Sequence, residues 1–442
     1  MPLSYLPPLL TSAFAALARW LDRRSAARLP LLLLGILLAQ GRRTVTAWFR
    51  GAGITDDFRP HYTTVCAVGR KIDHQALSVL HTVTPLLDRR RLVVGIDDTP
   101  TPRAGPEVEG CGIHHNPSPG AAGAKLLYGH VWVTLAVLTR HPDWGTAALP
   151  LQAQLYVRRK DLDKLPPERR RPFHTKLELA AAQLCWLKPW VEYRFAERWA
   201  VVDGGYTKRP FLKAAQEGGW VVCGRLRKDA ALWSVPDPKP AGRRGPQATY
   251  GKQRLSLAKR AGHQQGWQQV ECVQYGRRVT KTIKTFVATW RPAGGKIRVV
   301  LVKEEDGWVA FFCTKAEATA AEVLEAMADR GALEQTFKQV KEVWGAGQQQ
   351  VRNVFSNEGC FNLCLWMYSL VEAWAWDQPE GELVDRHASP WDSEPRRPSH
   401  QDKRKALQRE VLQAEIQEVL SGRPTKQEMR ALAQRLLERA AG

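Results

Sequence analysis

Apolar residues recur at spacings of three and four along the N-terminal part of the chain, and this period predicts helices from residue 1 to about residue 90. The run LPLLLLGILLA, residues 29–39, carries no charge and is bounded by Arg28 and Arg42. It is too short to span a bilayer, which takes roughly 20 apolar residues. We therefore expect a buried helix at this position rather than a membrane anchor.

The pattern changes at Arg91 to short apolar runs that alternate with helical segments. Three predicted strands are followed by a helix, a fourth strand, a short helix and a fifth strand. The five runs are RLVVGID (91–97), HVWVTLAVL (130–138), LPLQAQLYV (149–157), RWAVVD (198–203) and GWVVCGRLR (219–227). This order predicts an α/β fold with a mixed sheet and with helices available for both of its faces.

The alternation stops after Lys228, where a stretch rich in Pro, Gly and Arg is followed by β-type runs up to Cys313. The run KIRVVLVKEEDGWVAFF contains a predicted hairpin turn at Asp306 and Gly307. We interpret the whole region as a β-rich insertion.

Helical periodicity returns near Ala318 and predicts one long helix through Trp344, followed by a second, apolar helix over FNLCLWMYSLVEAWAW. From Asp377 the chain is a polar linker that contains prolines. It closes with a charged helix from Lys403 onward, which we expect to be exposed or to contact a partner.

The chain carries 65 Lys and Arg residues against 44 Asp and Glu, a formal charge of +21. This excess favours a polyanionic partner, with nucleic acid as the first candidate and an anionic membrane surface as its competitor. The eight cysteines are scattered with no CxxC pair, which indicates a reduced, cytosolic protein. His114 and His115 are adjacent and would point apart on a regular element, so we expect no metal site there. The first basic residue is Arg19, so the N-terminus lacks a secretory signal and we expect a cytoplasmic location.

One N-terminal segment, GRRTVTAWFRGAGITDDF, combines arginines, a short predicted helix and two glycines. A small helix-turn-helix-like DNA contact would use Arg42, Arg43, Trp48 and Arg50. A solvated basic helix end fits the same spacing, and both interpretations stay open.

Three carboxylates stand where the catalytic groups of a sheet enzyme would need to be. Asp97 ends the first predicted strand, Asp203 ends the fourth, and Glu334 lies on the long helix. An acidic pair after a strand, such as Asp97 and Asp98, is usually only a turn or a helix cap. If the first and fourth strands are neighbours, however, Asp97 and Asp203 share one edge of the sheet, and a helix across that edge can add Glu334. Three carboxylates in one place repel each other unless divalent cations lie between them, and hard oxygen ligands favour Mg²⁺ or Mn²⁺.

The predicted helix around Glu334 places Arg330, Glu334, Phe337 and Lys341 on one face, at spacings of four, three and four. An ordinary amphipathic helix with an ion pair between Arg330 and Glu334 explains that spacing. A carboxylate flanked by two cations also suits a metal site that holds a phosphate backbone.

These residues resemble the DDE transposases of bacterial insertion sequences, in the branch marked by Y-x2-R-x3-E-x6-K. Arg330, Glu334 and Lys341 match that signature, and Met327 stands in place of its tyrosine. Further similar stretches follow in the family's order over most of the chain: GRRTVTAWFRGAGITDDF, IDDTPTPRAG, VVDGGY, GRLRKDAALW with GRRGPQATYGK, and SPWDSEPRRPSHQDKRKAL.

The resemblance implies an RNase H-like core, in which a mixed five-stranded sheet is flanked by helices. It also implies a β-rich insertion between the second Asp and the Glu, and a helical N-terminal domain. The organisation is then a helical DNA-binding domain (1–90), the first part of the catalytic core (91–228), the insertion (229–312), the C-terminal helices of the core (313–376), and a linker with a charged helical tail (377–442).

The resemblance also implies roles for individual residues. Two Mg²⁺ or Mn²⁺ ions would be held by Asp97, Asp203 and Glu334, with Asp98 as a supporting group or a loop cap. Phosphates at the end of the mobile element would be contacted by Arg330 and Lys341.

Its partners would be double-stranded DNA, both element ends and target, and a second copy of the chain in a homodimer at the bacterial nucleoid, with no membrane. Arg243 and Arg244 are further DNA-binding candidates. Trp290 and Trp308 are candidates for stacking on a flipped base, with packing in the core or the hairpin as the plain alternative.

Three hypotheses remain at this point. The first is a transposase, the second a decayed or domesticated copy that only binds DNA, and the third a metal-dependent nuclease or RNA-processing enzyme on the same fold. Met327 supports the second hypothesis, whereas the three retained carboxylates argue against it. The long insertion and the basic N-terminal region suggest the handling of a defined DNA end, which a simple nuclease needs less.

Overall fold

An N-terminal layer of helices precedes the sheet in this computed structural model, which describes residues 5–116, 123–239, 244–385, 396–422 and 424–440. The helices are α1 (Pro8–Ala18), α2 (Arg23–Leu38), α3 (Val45–Ala52), α4 (Phe58–Gly69) and α5 (Ile72–Val83). The leucine-rich run forms the buried half of α2, as predicted. Gly35 allows this helix to approach α3, because a Cβ there would lie 2.1 Å from the carbonyl oxygen of Trp48. Within the described residues, no helix has the length and apolarity needed to cross a membrane.

The central sheet is mixed, as the alternation of strands and helices predicts. Its first elements are β1 (Arg91–Pro102), β2 (Gly112–His115), β3 (Leu126–His141), β4 (Gly145–Tyr156), α6 (Arg159–Leu162), α7 (Lys176–Val191), β5 (Glu197–Val202), α8 (Arg209–Glu217) and β6 (Val221–Leu226). Strand β1 pairs antiparallel with β3 and parallel with β5, and β6 continues parallel to β5. Strand β4 pairs with β3 on the other side. The first and fourth predicted strands, here β1 and β5, are therefore neighbours.

The region after β6 is rich in strands, as predicted, but these strands join the central sheet. They are β7 (Leu232–Trp233), β8 (Arg254–Leu255), β9 (Gln268–Gln274), β10 (Arg277–Trp290), β11 (Gly295–Glu304) and β12 (Gly307–Cys313), with the short helix α9 (Leu257–Gly262) before β9. Because β12 pairs with β6, the described residues form one sheet of twelve strands rather than five strands with a separate insertion. The hairpin loop consists of Glu305 and Asp306, one residue earlier than predicted, since Glu304 pairs with Gly307.

The C-terminal part consists of α10 (Ala320–Asp329), α11 (Gly331–Glu342), α12 (Val354–Ala375), α13 (Glu380–Leu383), α14 (His400–Ser421) and α15 (Lys426–Ala440). The predicted single long helix is in fact two helices, α10 and α11, which meet at Arg330. The apolar helix α12 is buried along nearly its whole length between the N-terminal helices and β4.

The charged tail is not simply exposed, contrary to one of the two expectations. One face of α14 packs against α12 and α2, and Leu407 and Val411 are buried there. Arg404 is also buried and donates hydrogen bonds to the carbonyl oxygens of Leu37 and Val343. Charge composition predicts a solvated helix, but these backbone carbonyls satisfy the buried guanidinium.

Candidate active site

Two of the predicted carboxylates lie side by side on neighbouring strands. The parallel pairing of β1 with β5 ends with Ile96 opposite Val202, and the next residues are Asp97 and Asp203. The sequence predicts that the first strand ends at Asp97. In the structure β1 continues beyond it, because its antiparallel pairing with β3 extends to Pro102. Asp97 is therefore held by a continuous strand, whereas Asp203 stands at the first position after β5.

The junction between α10 and α11 brings a cation and the third carboxylate to the same place. Arg330 Nη2 lies 2.6 Å from Asp97 Oδ2 and 3.9 Å from Asp203 Oδ1, and Arg330 Nη1 lies 3.5 Å from Glu334 Oε1. Helix α11 can reach β1 because position 95 is glycine: a Cβ there would be only 2.5 Å from Leu333 Cδ1. Asp97, Asp203 and Glu334 thus gather around one guanidinium, and we call this group the acidic centre.

The acidic centre is open and incompletely neutralised, since three carboxylates face one guanidinium. The side chains of Asp203 and Glu334 are 52% and 68% exposed, whereas that of Asp97 is 17% exposed. Burial raises the pKa of Asp97 to about 6; the Arg330 guanidinium opposes this rise, and the nearby carboxylates of Asp98 and Asp203 add to it. Arg330 Nε is buried and has no hydrogen-bond partner among the described residues.

Asp98 faces a different set of partners from its neighbour. Lys176 Nζ lies 2.6 Å from Asp98 Oδ2, and the Tyr206 hydroxyl donates to Asp98 Oδ1 at 3.0 Å. Burial, followed by the charge of Asp98, raises the pKa of Tyr206, so the phenol stays protonated and keeps donating. Between the two candidates for the acidic centre, the contacts with Arg330 therefore favour Asp97. Lys176 and Tyr206 were missed by the sequence reasoning, although Tyr206 belongs to the VVDGGY stretch and was within reach of it.

The donor chemistry of the acidic centre suits a hard divalent cation, because Mg²⁺ and Mn²⁺ take carboxylate oxygens. As the side chains stand, the positive charge between the carboxylates is that of Arg330. In the part of the chain that the structure describes, no group of three His, Cys, Asp or Glu residues is close enough to hold a metal ion. The residue types therefore fit such an ion, and their present placement centres on the guanidinium instead.

The basic residues predicted to contact DNA differ in how far they are available. Arg42, Arg50 and Arg244 are exposed, while Arg243 lies outside the described residues. Arg43 is half-buried, and its backbone is tied to Gln348 and Gln349. Lys341 is half-buried on α11 without a hydrogen-bond or ion-pair partner among the described residues, and burial lowers its pKa.

The tryptophans predicted to meet DNA are mostly in the core. Trp48 is fully buried, so it presents no surface to DNA, and that prediction is wrong. Trp290 is also buried and packs edge-on against Phe312, which is the plain alternative to base stacking. Trp308 is half-buried, with Lys228 Nζ 5.2 Å from its ring centroid.

Met327, which we predicted to stand in place of a signature tyrosine, is half-buried on α10. Its side chain packs against the apolar cluster that contains Trp199 and Val201. A thioether has no hydroxyl to donate, so this position supplies packing rather than a hydrogen bond.

Comparison with known families gives a match over much of the chain. Residues 16–292 match the model of the family described as "DDE superfamily endonuclease", which covers well over half of the chain. The matched segment contains Asp97 and Asp203 and ends before Glu334. No curated protein matches the chain significantly.

Proposed function

Because the chain belongs to the DDE superfamily of endonucleases, we propose that it is a metal-dependent DNA transposase, which cuts at the ends of a mobile element and joins the freed 3′ hydroxyl to target DNA. The observation that carries this proposal is the convergence of Asp97, Asp203 and Glu334 around Arg330, from two parallel strands and a helix junction. These groups are far apart in sequence, and nothing in the packing of a core requires three carboxylates to meet.

In this proposal each side chain of the centre has a stated task. Asp97, Asp203 and Glu334 would hold two Mg²⁺ or Mn²⁺ ions. Such ions, when bound, supply an activated water and charge stabilisation for phosphodiester cleavage and transfer. Arg330 would exchange its contact with Asp97 for a DNA phosphate, and Lys341, on the same helix, would contact a neighbouring phosphate.

The substrate follows from the family and from the charge of the chain. An endonuclease with a formal charge of +21 attracts a polyanionic duplex, and the exposed Arg42, Arg50 and Arg244 are candidates for backbone contacts. Because both ends of an element must be processed, we include a homodimer in the proposal.

A second candidate function is a DNA-binding protein that has lost cleavage. Two observations favour it: the half-buried Met327 packs against an apolar cluster where the proposed signature has a tyrosine, and Arg330 occupies the space between the carboxylates. This candidate keeps the DNA contacts and predicts no metal-dependent step.

The deciding experiment is cleavage of a duplex that carries the DNA flanking this coding sequence, with Mg²⁺ or Mn²⁺ and with EDTA. Wild-type protein is compared with Asp203→Asn and with Asp306→Asn, a control that removes an exposed carboxylate from the hairpin loop. Binding to the same duplex is measured in parallel by fluorescence anisotropy.

We expect metal-dependent nicking at the element boundary by the wild type and by Asp306→Asn, and none by Asp203→Asn, with binding retained in all three. Transfer of the 3′ end into a second duplex separates a transposase from a simple nuclease. Binding without any metal-dependent cleavage by the wild type would replace the transposase with the DNA-binding candidate.

A further inference from the structure

A buried carboxylate, paired with an exposed arginine, lies one residue before Arg330. Asp329, the last residue of α10, is 7% exposed. Arg140, near the end of β3, donates to it from Nε at 3.0 Å and from Nη2 at 2.8 Å, both to Oδ2. The Thr146 hydroxyl of β4 donates to Asp329 Oδ1 at 2.5 Å. The end of α10 is thereby fixed to two strands of the central sheet.

The same arginine connects this helix end to the strands that follow β6. Arg140 Nη1 lies 3.0 Å from Glu325 Oε2, and the other oxygen of Glu325 accepts a hydrogen bond from the backbone N–H of Val273 in β9 at 2.9 Å. The turn between β9 and β10 also approaches the junction of α10 and α11. A Cβ on Gly331 would lie 3.2 Å from the ring of Tyr275 in that turn.

Arg330 is therefore bracketed by two anchors. On one side Asp329 is bound to β3 and β4; on the other, Leu333 is fully buried against Gly95 of β1. Among the described residues, the backbone of Arg330 is bonded only within the two helices: its N–H donates to Ala326 O, and its carbonyl oxygen accepts from the N–H of Leu333. The position of its Cα relative to Asp97 follows from the two flanking residues.

We propose that Asp329 is a positioning residue for Arg330, which holds the guanidinium in reach of the acidic centre without itself touching substrate. The inference rests on the proposed function only for its effect on cleavage; the placement of Arg330 is a separate, structural claim. A carboxylate suits this task because Oδ2 accepts from both Nε and Nη2 of Arg140, while Oδ1 accepts from the Thr146 hydroxyl and, at 3.2 Å, from Arg140 Nε.

The test has a structural and a kinetic arm. Crystal structures of the wild type and of Asp329→Ala show whether the Arg330–Asp97 contact is kept. Single-turnover cleavage at saturating DNA is measured for Asp329→Ala, Arg330→Ala and the double variant, together with DNA affinity. Glu415→Gln is the matched control, since Glu415 is an equally buried carboxylate held by Arg435 and Arg439 in the tail.

We expect Arg330 to leave Asp97 in Asp329→Ala, and the cleavage rate to fall about 10- to 100-fold with DNA affinity changed less than about threefold. In the Arg330→Ala background the second substitution should cost less than about twofold, because residues that act through one another are not additive. Glu415→Gln should leave the cleavage rate of the folded protein unchanged.

Asp329→Asn keeps an acceptor for Thr146 and replaces the alanine variant if that variant does not fold. Its Arg330–Asp97 distance should be longer than in the wild type, and its cleavage rate should lie between the wild-type rate and the rate expected for Asp329→Ala. An Arg330 that stays on Asp97 in the variant structure overturns the proposal, as do losses that multiply in the double variant. If the wild type does not cleave at all, the proposed function fails, while the crystal structures still decide whether Asp329 places Arg330.

Discussion

The acidic centre and a second charged group, formed by Glu372, His400 and Lys403, solve the problem of clustered charge in opposite ways. We call the second group the Glu372 cluster. Glu372 Oε1 lies 2.6 Å from His400 Nδ1, and Glu372 Oε2 lies 2.6 Å from Lys403 Nζ. All three side chains are buried. His400 Nε2 accepts a hydrogen bond from the indole of Trp344 at 2.7 Å. Each charged group in this cluster has its partner, whereas the acidic centre has more carboxylates than cations and is open to solvent.

The difference shows what each arrangement is suited to. A buried, fully paired cluster cannot accept a ligand without breaking an ion pair, so its role is to attach α14 to α12 and to the rest of the core. An exposed cluster with excess negative charge gains stability from any added cation. The surplus charge, rather than the presence of carboxylates, therefore marks the acidic centre as the candidate for chemistry.

The largest effect is expected for Asp97→Asn. The substitution removes the most buried carboxylate of the acidic centre, and with it about 4 kcal/mol of transition-state stabilisation, which corresponds to a loss of about 10³-fold in the single-turnover cleavage rate. The melting temperature should change by no more than about 3 °C, because Asn retains the shape of Asp97 and burial already opposes its charge. Cleavage kinetics and thermal melting of the same preparation check both parts, and a variant that cleaves within tenfold of the wild type would remove Asp97 from the proposed chemistry.

Glu372→Gln should show the opposite result. Removing this charge leaves Lys403 buried without a counter-ion, which should lower the free energy of unfolding by about 3 kcal/mol. The cleavage rate per folded molecule should be unchanged, because none of the three groups contacts the acidic centre. Denaturant unfolding measures the loss, with Glu305→Gln, an exposed carboxylate in the hairpin loop, as the control. A stable variant with slow cleavage would contradict the division of roles.

The acidic centre could be predicted in large part from the sequence, because a short run of apolar residues is enough to indicate a buried strand. The apolar runs ending near Asp97 and Asp203 marked two buried strands, and carboxylates after such strands meet if the strands are neighbours. The structure places β1 beside β5, so that condition is met. The helix junction was not predicted, because an isolated glycine such as Gly331 is tolerated inside a helix, and the break depends on contacts with distant strands.

The Glu372 cluster could not be predicted, because its residues look solvated when they are considered one at a time. His400, Lys403 and Arg404 belong to a charged segment, and their partners lie far away in sequence: Glu372 on α12 and the carbonyl of Leu37 on α2. Trp48 was misplaced for a geometric reason. Residues two apart on a helix lie about 200° apart, so an exposed Arg50 indicates a buried Trp48 rather than a shared DNA-binding face.

The pH dependence of stability should also distinguish the Glu372 cluster from the acidic centre, with a smaller effect than the substitutions above. The Lys403 ammonium and the His400 imidazole lower the pKa of Glu372 to about 2 against the opposing effect of burial, while burial lowers the pKa of His400. A carboxylate whose pKa is lower in the folded state contributes stability that is complete above its unfolded pKa and is lost as the pH falls towards 2. A His with a lowered pKa likewise costs stability below about pH 6.5, where the unfolded chain takes up the proton.

The stability gap between the wild type and Glu372→Gln should therefore narrow by about 1–2 kcal/mol between pH 5 and pH 3. Denaturant midpoints at pH 7, 5, 4 and 3 measure the gap. A gap that stays constant over this range would mean that Glu372 is not held as a charged group in the folded protein.

The smallest effect is expected for Asp98→Asn. This substitution compares two adjacent carboxylates, Asp97 of the acidic centre and Asp98, whose charge is matched. Asp98 resembles the Glu372 cluster in having its charge matched, by Lys176 and the Tyr206 hydroxyl, but its pair is partly exposed. Breaking a partly exposed ion pair costs about 1 kcal/mol or less, and the asparagine oxygen still accepts from Tyr206. We expect a cleavage rate within about tenfold of the wild type and a melting temperature lower by a few degrees at most.

Lys176→Met removes the same ion pair from the other side and should match Asp98→Asn in stability. Loss of cleavage in Asp98→Asn, as in Asp97→Asn, would contradict this division. Asp98, whose charge is matched, would then be required as much as Asp97, and surplus charge would not distinguish a reactive carboxylate from a structural one.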